Sequence, residues 1–163
     1  MLTWVLLGIF IILVVLPLLI GFMLSPNSRA TRVELVRAPL DKVWDSLSDL
    51  ARHTEWRSDV KSVQLKDDDQ GLRWIEHSRV LGKTTVRKIK EVHHKEIVMS
   101  YQRGNSFKGT RQALMTAVPG GTRVTFTETR EIRNPLKRLS HQFGSKLDKQ
   151  LNQYISELKF RFT

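Results

Sequence analysis

Residues 135–162 read PLKRLSHQFGSKLDKQLNQYISELKFRF, and apolar residues recur in this stretch every three or four positions. The recurring residues are Leu136, Leu139, Phe143, Leu147, Leu151, Tyr154 or Ile155, Leu158 and Phe162. Lysines and arginines take the opposite side of the same helical projection. The pattern predicts one long amphipathic helix whose apolar face must lie on another part of the protein.

The residues before this helix, from Asp59 to Ile132, are rich in strand-forming side chains. Turn-forming segments interrupt them at residues 67–71, 81–82, 93–95, 103–106 and 119–121. This spacing predicts six strands joined by hairpins. Upstream, Val33 and Leu35 alternate with polar neighbours as in a strand, and residues 39–50 have the apolar spacing of a helix.

The order strand, helix, six strands and long helix predicts an α+β fold. We expect a curved antiparallel sheet of about seven strands, with the C-terminal helix across its concave face. Such a sheet curls around the helix and can leave an apolar cavity between them.

The N-terminal residues Leu2 to Leu24 form an apolar run whose one polar side chain is Thr3. As a helix the run would reach about 35 Å, which exceeds the roughly 30 Å of a bilayer's hydrocarbon core. A cleaved signal peptide is the alternative, but nothing basic precedes the run and Ser28-Arg29-Ala30 is a poor cleavage site. We therefore predict a transmembrane helix at 1–24, a linker at 25–30 and a domain at 31–163.

Basic residues lie only after the apolar run, beginning with Arg29, Arg32 and Arg37. The positive-inside rule then places the domain on the cytoplasmic side of the cell membrane. The chain has 27 Lys and Arg against 16 Asp and Glu, a formal charge of +11. Contact with anionic lipids explains this excess, and a solvated basic surface without a partner explains it equally well. We do not expect a nucleic-acid partner, because no aromatic stacking pattern accompanies the charge.

Several chemistries lack support in the sequence. The chain has no cysteine, no Walker or Gly-x-Gly-x-x-Gly loop and no Gly-x-Ser-x-Gly motif. Its five histidines do not have the spacing of a zinc site. We expect neither a metal nor another cofactor.

One carboxylate, Glu76, is a candidate acid–base residue because it shares a strand face with Trp74. Burial would raise its pKa and suit it to proton transfer. If Ile75 points inward instead, Glu76 lies in water. Arg111 would anchor an anionic head group if it faced inward, although we expect it in solvent. The candidate pocket residues are Trp56, Trp74, Glu76, Arg111, Phe143, Leu147, Leu151 and Tyr154; the tryptophans could equally fill the core.

Six fragments of the sequence resemble a known superfamily in their order and spacing. They are Ala38-Pro39-x-x-x-Val43-Trp44, Trp56-Arg57-Ser58-Asp59-Val60, Trp74-x-Glu76, Phe107-x-Gly109, Gly121-Thr122-x-Val124-Thr125 and Asn134-Pro135-x-x-Arg138. The chain resembles the SRPBCC superfamily, in its START-like branch called polyketide cyclase/dehydrase and lipid transport. Small bacterial members of this branch also carry one N-terminal membrane helix. Arg111 departs from the pattern, because relatives often have an aromatic residue there.

The resemblance implies a helix-grip fold with an internal pocket for a hydrophobic ligand, but no single activity. We expect a non-catalytic, membrane-tethered protein that binds or carries a lipid, isoprenoid or quinone. One alternative is a cyclase/dehydrase-like enzyme that uses Glu76. A further alternative is an adaptor whose groove holds a protein segment.

Overall fold

The structure, a computed structural model, describes residues 1–142 and 146–163. One seven-stranded sheet dominates it, and every pair of neighbouring strands is antiparallel. Its strands are β1 (Asn27–Val36), β2 (Val60–Lys66), β3 (Arg73–Ser78), β4 (Gly82–Val92), β5 (Glu96–Arg103), β6 (Phe107–Val118) and β7 (Gly121–Ile132). The order across the sheet is β1-β7-β6-β5-β4-β3-β2, so β1 closes one edge by pairing with the last strand. The predicted seven strands and α+β class are confirmed.

Strand β7 shows why these residues form a two-faced sheet. Its even-numbered side chains are buried: Thr122, Val124, Phe126, Glu128, Arg130 and Ile132. The intervening residues face outward, as the two-residue period of a strand requires. The inner face is thus apolar at one end of the strand and charged towards the other.

The remaining helices are α1 (Leu2–Phe10), α2 (Leu16–Met23), α3 (Leu40–Ser48), α4 (Pro135–Gln142) and α5 (Lys146–Phe160). A 3-10 helix at Leu50–Glu55 follows α3. Val43 and Leu47 of α3 and Leu151 and Leu158 of α5 join the buried core on the inner face of the sheet. Residues 143–145 lie outside the described residues, so the predicted long helix is described as α4 and α5.

The apolar N-terminal run is helical throughout, with a π-helical turn at Ile11–Val15 between α1 and α2. Pro17 follows this turn, and a proline ring normally clashes with the carbonyl four residues earlier. The wider π turn relieves that clash. The span Thr3–Met23 is long and apolar enough to cross a membrane.

The end of α2 packs on α4, because Gly21 lies buried against Pro135. Strand β1 then begins at Asn27 and pairs with β7 from its first residue. Residues 27–30 were predicted as linker and are strand instead, since the backbone of β7 extends far enough to pair with them.

Candidate functional site

Two small adjoining cavities lie between the sheet and α5. One has a volume of about 40 Å³ and the other about 30 Å³. Arg57, Leu81, Arg111 and Tyr154 line both of them. Each cavity has room for water-sized groups, whereas ligand pockets usually measure about 300–1,000 Å³.

The deeper cavity has one apolar wall and one ionic wall. Val86 and Met99 of β4 and β5 form the apolar side together with Leu81. The outer cavity reaches the β3–β4 turn at Val80 and the side chains of Gln150 and Gln153 on α5. The mouth of the site therefore lies between that turn and α5.

The first ionic cluster joins the segment before β2 to β3. Arg57 is buried, and its Nη1 donates to the Glu76 carboxylate at 2.9 and 3.2 Å. Its Nη2 donates to Asp59 at 2.9 Å. Alternation along β3 turns Trp74, Glu76 and Ser78 to the inner face, and Ile75 is buried as well, so the two directions considered for Glu76 are not exclusive alternatives.

The charge state of Glu76 follows from this pairing. Burial alone would raise its pKa, but the Arg57 guanidinium and a hydrogen bond with His53 outweigh burial and lower the pKa to about 2. The expected rise in pKa was wrong because the sequence pattern did not include Arg57 as a partner. Burial also lowers the pKa of His53, whose Nδ1 lies 3.5 Å from Glu76 Oε1. At neutral pH, Glu76 is ionised and His53 is neutral.

The second ionic cluster centres on Glu128, whose side chain is fully buried. Its carboxylate accepts hydrogen bonds from Tyr101 Oη at 2.7 Å, Arg111 Nη2 at 2.7 Å and Arg130 Nη2 at 3.0 Å. Burial raises the pKa of Glu128, and Arg111 and its other partners reverse the shift, so that it lies below its ordinary value. Arg130 also donates to Gln150 at 2.8 Å and so ties this cluster to α5.

Tyr154 of α5 lies between the two clusters. The Arg111 guanidinium carbon is 4.0 Å from the centre of its ring, and that of Arg57 is 5.4 Å away. Contacts of this kind are cation–π interactions. Three buried atoms of the described residues lack a hydrogen-bond partner: His53 Nε2, Trp56 Nε1 and Arg130 Nη1. Of these three residues, His53 lines the deeper cavity, where its ring and the arginines lie opposite the apolar side chains of Val86 and Met99.

The predicted pocket residues divide into two groups. Glu76, Arg111 and Tyr154 line the cavities. Trp56 and Trp74 pack at the edge of the core. Leu147 and Leu151 are buried core residues of α5 and line neither of the two cavities. Phe143 lies outside the described residues.

The expectation that Arg111 lies in solvent was wrong. It is on the inner face because it pairs with Met99 and Glu128, both buried, on the neighbouring strands. Its guanidinium is held there by the carboxylate of Glu128. The sequence prediction missed Arg57, His53, Glu128 and Arg130; the alternation of β7 would have placed the last two inward. Among residues 1–142 and 146–163, no three His, Asp or Glu side chains gather as metal ligands.

A family model described as polyketide cyclase / dehydrase and lipid transport matches residues 28–154. The chain belongs to this family. The match begins at Ser28, near the start of β1, and ends at Tyr154, on the wall of the cavities. No curated protein matches the chain.

Several solved structures share the fold of this family member. A START superfamily protein from Mycobacterium smegmatis has 14% identity and a TM-score of 0.65, with 82% of this chain and 96% of that chain covered. The Zhui aromatase/cyclase from Streptomyces sp. R1128 has 16% identity and a TM-score of 0.62, with 84% and 96% covered. The di-domain ARO/CYC BexL, of the BE-7585A biosynthetic pathway, has 16% identity and a TM-score of 0.67, with 88% and 52% covered. At these identities the likeness shows the helix-grip fold alone.

Proposed function

We propose that this family member binds a hydrophobic small molecule beneath α5 and carries it without changing it chemically. The ligand class is a lipid, isoprenoid or quinone with one polar end. The observation that supports this most is the pair of adjoining cavities, which share two arginines, Leu81 and Tyr154. In our proposal the polar end of the ligand meets Arg111 and Arg57, and the apolar body lies along Val86 and Met99.

The small volume of the cavities implies that the site opens to admit a ligand. The mouth runs between the β3–β4 turn and α5. Beside it, Ser58, in the segment before β2, makes exposed polar contacts with Gln153 and Glu157 of α5. Such contacts cost little to break because water replaces them. Leu151 and Leu158, on the buried side of α5, hold the helix more firmly. We therefore expect the helix to hinge outward along its exposed edge.

The membrane supplies the ligand in this proposal. The apolar span Thr3–Met23 would anchor the domain, and the basic residues after it would keep the domain on the cytoplasmic side. An apolar ligand concentrates in the bilayer, so a tethered site meets it at a high effective concentration. A reporter that is active only outside the cytoplasm, fused after Thr163, should therefore be silent.

The alternative is an enzyme of the cyclase/dehydrase kind, which the family description includes. A general acid works best with a pKa near the operating pH. The pKa of Glu76 is about 2, so at neutral pH this carboxylate holds no proton to donate and is also a weak general base. The ion pair with Arg57 thus favours a binding role for Glu76 over a catalytic one.

The proposal is tested by purifying the full chain from membranes in mild detergent and measuring bound molecules by native mass spectrometry. We expect an apolar ligand at close to one per chain, recovered with its mass unchanged after incubation with the protein. A ligand that is converted to another compound would support the enzyme instead. The purified chain could instead hold no ligand and take up none from added lipid, isoprenoid or quinone. That result would contradict both the carrier and the enzyme, and would favour the adaptor.

A further inference from the structure

We propose that the outer face of the sheet is a docking surface for the phosphate head groups of anionic membrane lipids. The surface is a groove of about 590 Å³ on the side of the sheet opposite to α5, here called the outer groove. The inference rests on the membrane attachment proposed above, but it does not depend on a ligand beneath α5. The outer groove and the cavities beneath α5 have only Tyr101 in common.

Two rows of paired residues form the floor of the outer groove. The strand register aligns Arg29, Thr129, Thr110, Ser100 and Arg87 in the first row. It aligns Asn27, Glu131, Lys108, Gln102 and Thr85 in the second. Their neighbours along the strands, such as Ala30, Tyr101 and Val86, are buried on the inner face. Both rows therefore point away from the core, and nine of their ten side chains can donate a hydrogen bond.

The charge of the outer groove is positive. Arg29, Arg87 and Lys108 are its outward-facing cations, Arg130 also borders it but is buried on the inner face, and Glu131 is the one acidic side chain among its lining residues. Glu131 is already paired with Lys108 at 2.9 Å and with Arg133 at 3.5 Å. Arg29 forms no ion pair with any side chain that the structure describes. An arginine with this freedom, beside threonine and serine hydroxyls, suits the oxygens of a phosphate group.

The position of the outer groove identifies the occupant. Asn27 is four residues beyond Met23, the end of the apolar span, so it lies within about 14 Å of that end along the chain. Ile132 donates its backbone N–H to Pro26 O at 2.8 Å and holds this end of the sheet beside the span. The acidic turn at residues 67–69 lies at the opposite end, where β2 ends and β3 begins. The end of the sheet that carries the outer groove therefore lies beside the bilayer surface in the proposed attachment.

This arrangement predicts a measurable preference for anionic lipid. A basic residue near an anionic leaflet contributes about five-fold in affinity. Neutralising Arg29 and Lys108 together should thus weaken the contact by about 25-fold. The association should also decline as salt rises, since exposed charges are screened within about 10 Å at 0.1 M ionic strength.

The test places the full chain in nanodiscs of phosphatidylcholine, with or without phosphatidylglycerol, and measures amide hydrogen exchange. Backbone amides of the paired strands β6 and β7 already exchange slowly because of their hydrogen bonds in the sheet. The readout is therefore the difference in exchange rate between the two lipid compositions at residues 107–110 and 129–131. We expect phosphatidylglycerol to slow exchange there, and Arg29→Gln with Lys108→Gln to abolish the effect. The control pair is Arg37→Gln with Arg123→Gln, which removes the same charge from exposed sites at the other end of the sheet. It should keep the effect.

Four results would overturn the inference. Exchange could be the same in both lipid compositions, or the two variant pairs could respond alike. Inorganic phosphate added to phosphatidylcholine nanodiscs could slow exchange as much as the anionic lipid, which would show a site for free anions. A chain recovered outside the nanodiscs would contradict the membrane attachment itself, while ligand recovery in native mass spectra would still test the interior site separately.

Discussion

The carboxylate of Glu128 shows how this protein keeps charge in its interior. It has no exposed surface, yet it accepts hydrogen bonds from Tyr101, Arg111 and Arg130. Burial of an unpaired carboxylate is very costly, and two guanidinium groups offset that cost here. The same pairing holds Arg111 at the cavity wall, so the cluster both stabilises the fold and positions a candidate ligand contact.

Replacing Glu128 by Gln should destabilise the protein strongly. The change leaves Arg111 and Arg130 buried without a counter-charge, a loss of about 3–5 kcal/mol in the free energy of unfolding. Circular dichroism of the full chain in detergent during heating measures it. Glu131→Gln, at the half-buried outward position of the same strand, is the matched control and should change the midpoint little. Equal midpoints for the two variants would show that the cluster is not structurally important.

Glu76 should contribute to stability in a pH-dependent way. Its pKa is about 2 in the folded protein and 4.5 as an ordinary side chain, so the folded state binds the proton more weakly. The ionised pair with Arg57 therefore stabilises the protein fully above pH 4.5, and this contribution is lost as the pH falls towards 2. Thermal midpoints of wild type and Glu76→Gln should differ most near neutral pH and converge in acid. A constant difference from pH 7 to pH 2 would contradict the pairing.

The helices and strands were largely predictable, because their signals are local. Hairpin turns such as Pro119-Gly120-Gly121 separate the strands, and the spacing of Leu147, Leu151 and Leu158 identifies α5. The functional interior was less predictable. Arg57 and Glu76 are 19 residues apart in sequence, and no periodic pattern links them. Their contact depends on the 3-10 helix at Leu50–Glu55, which positions Arg57 beside the sheet.

Helix α5 should be held in place by its core leucines. Leu151 is fully buried and lines neither cavity, so Leu151→Ala should cost about 2–5 kcal/mol of unfolding free energy. Ser156→Ala, an exposed position on the same helix, should have little effect. Chemical denaturation of the two variants makes the comparison. If Leu151→Ala were as stable as Ser156→Ala, a larger space would exist beneath the helix than the structure shows.

The contact between α2 and α4 depends on the absence of a side chain at Gly21. A Cβ at this position would meet the backbone of Pro135, with Pro135 Cβ itself at 3.0 Å. Gly21→Val should therefore separate the two helices and speed tryptic cleavage after Lys137 and Arg138 in the full chain. Gly8→Val is the control, since no atom lies within 4 Å of a Cβ there. Equal cleavage rates for the two variants would exclude a tight contact between α2 and α4.

At the scale of the whole molecule, the sheet separates two kinds of surface. Its inner face carries the core and the two cavities beneath α5, and its outer face carries the basic groove beside the apolar span. In our account the outer face orients the domain on the bilayer and the inner face receives a molecule from it. The central claim is that an apolar molecule enters the interior through the mouth between the β3–β4 turn and α5.

Photo-crosslinking tests this claim most directly. The full chain is reconstituted in bilayers that contain a photoactivatable fatty acid or isoprenoid, irradiated, and mapped by mass spectrometry. We predict labels on the inward residues Val86 and Met99, lost in Leu81→Trp because the indole fills the mouth. Leu65→Trp, an exposed leucine away from the cavities, should label as wild type does. Labels confined to residues 2–23 and the outer face, or unchanged by Leu81→Trp, would contradict the account.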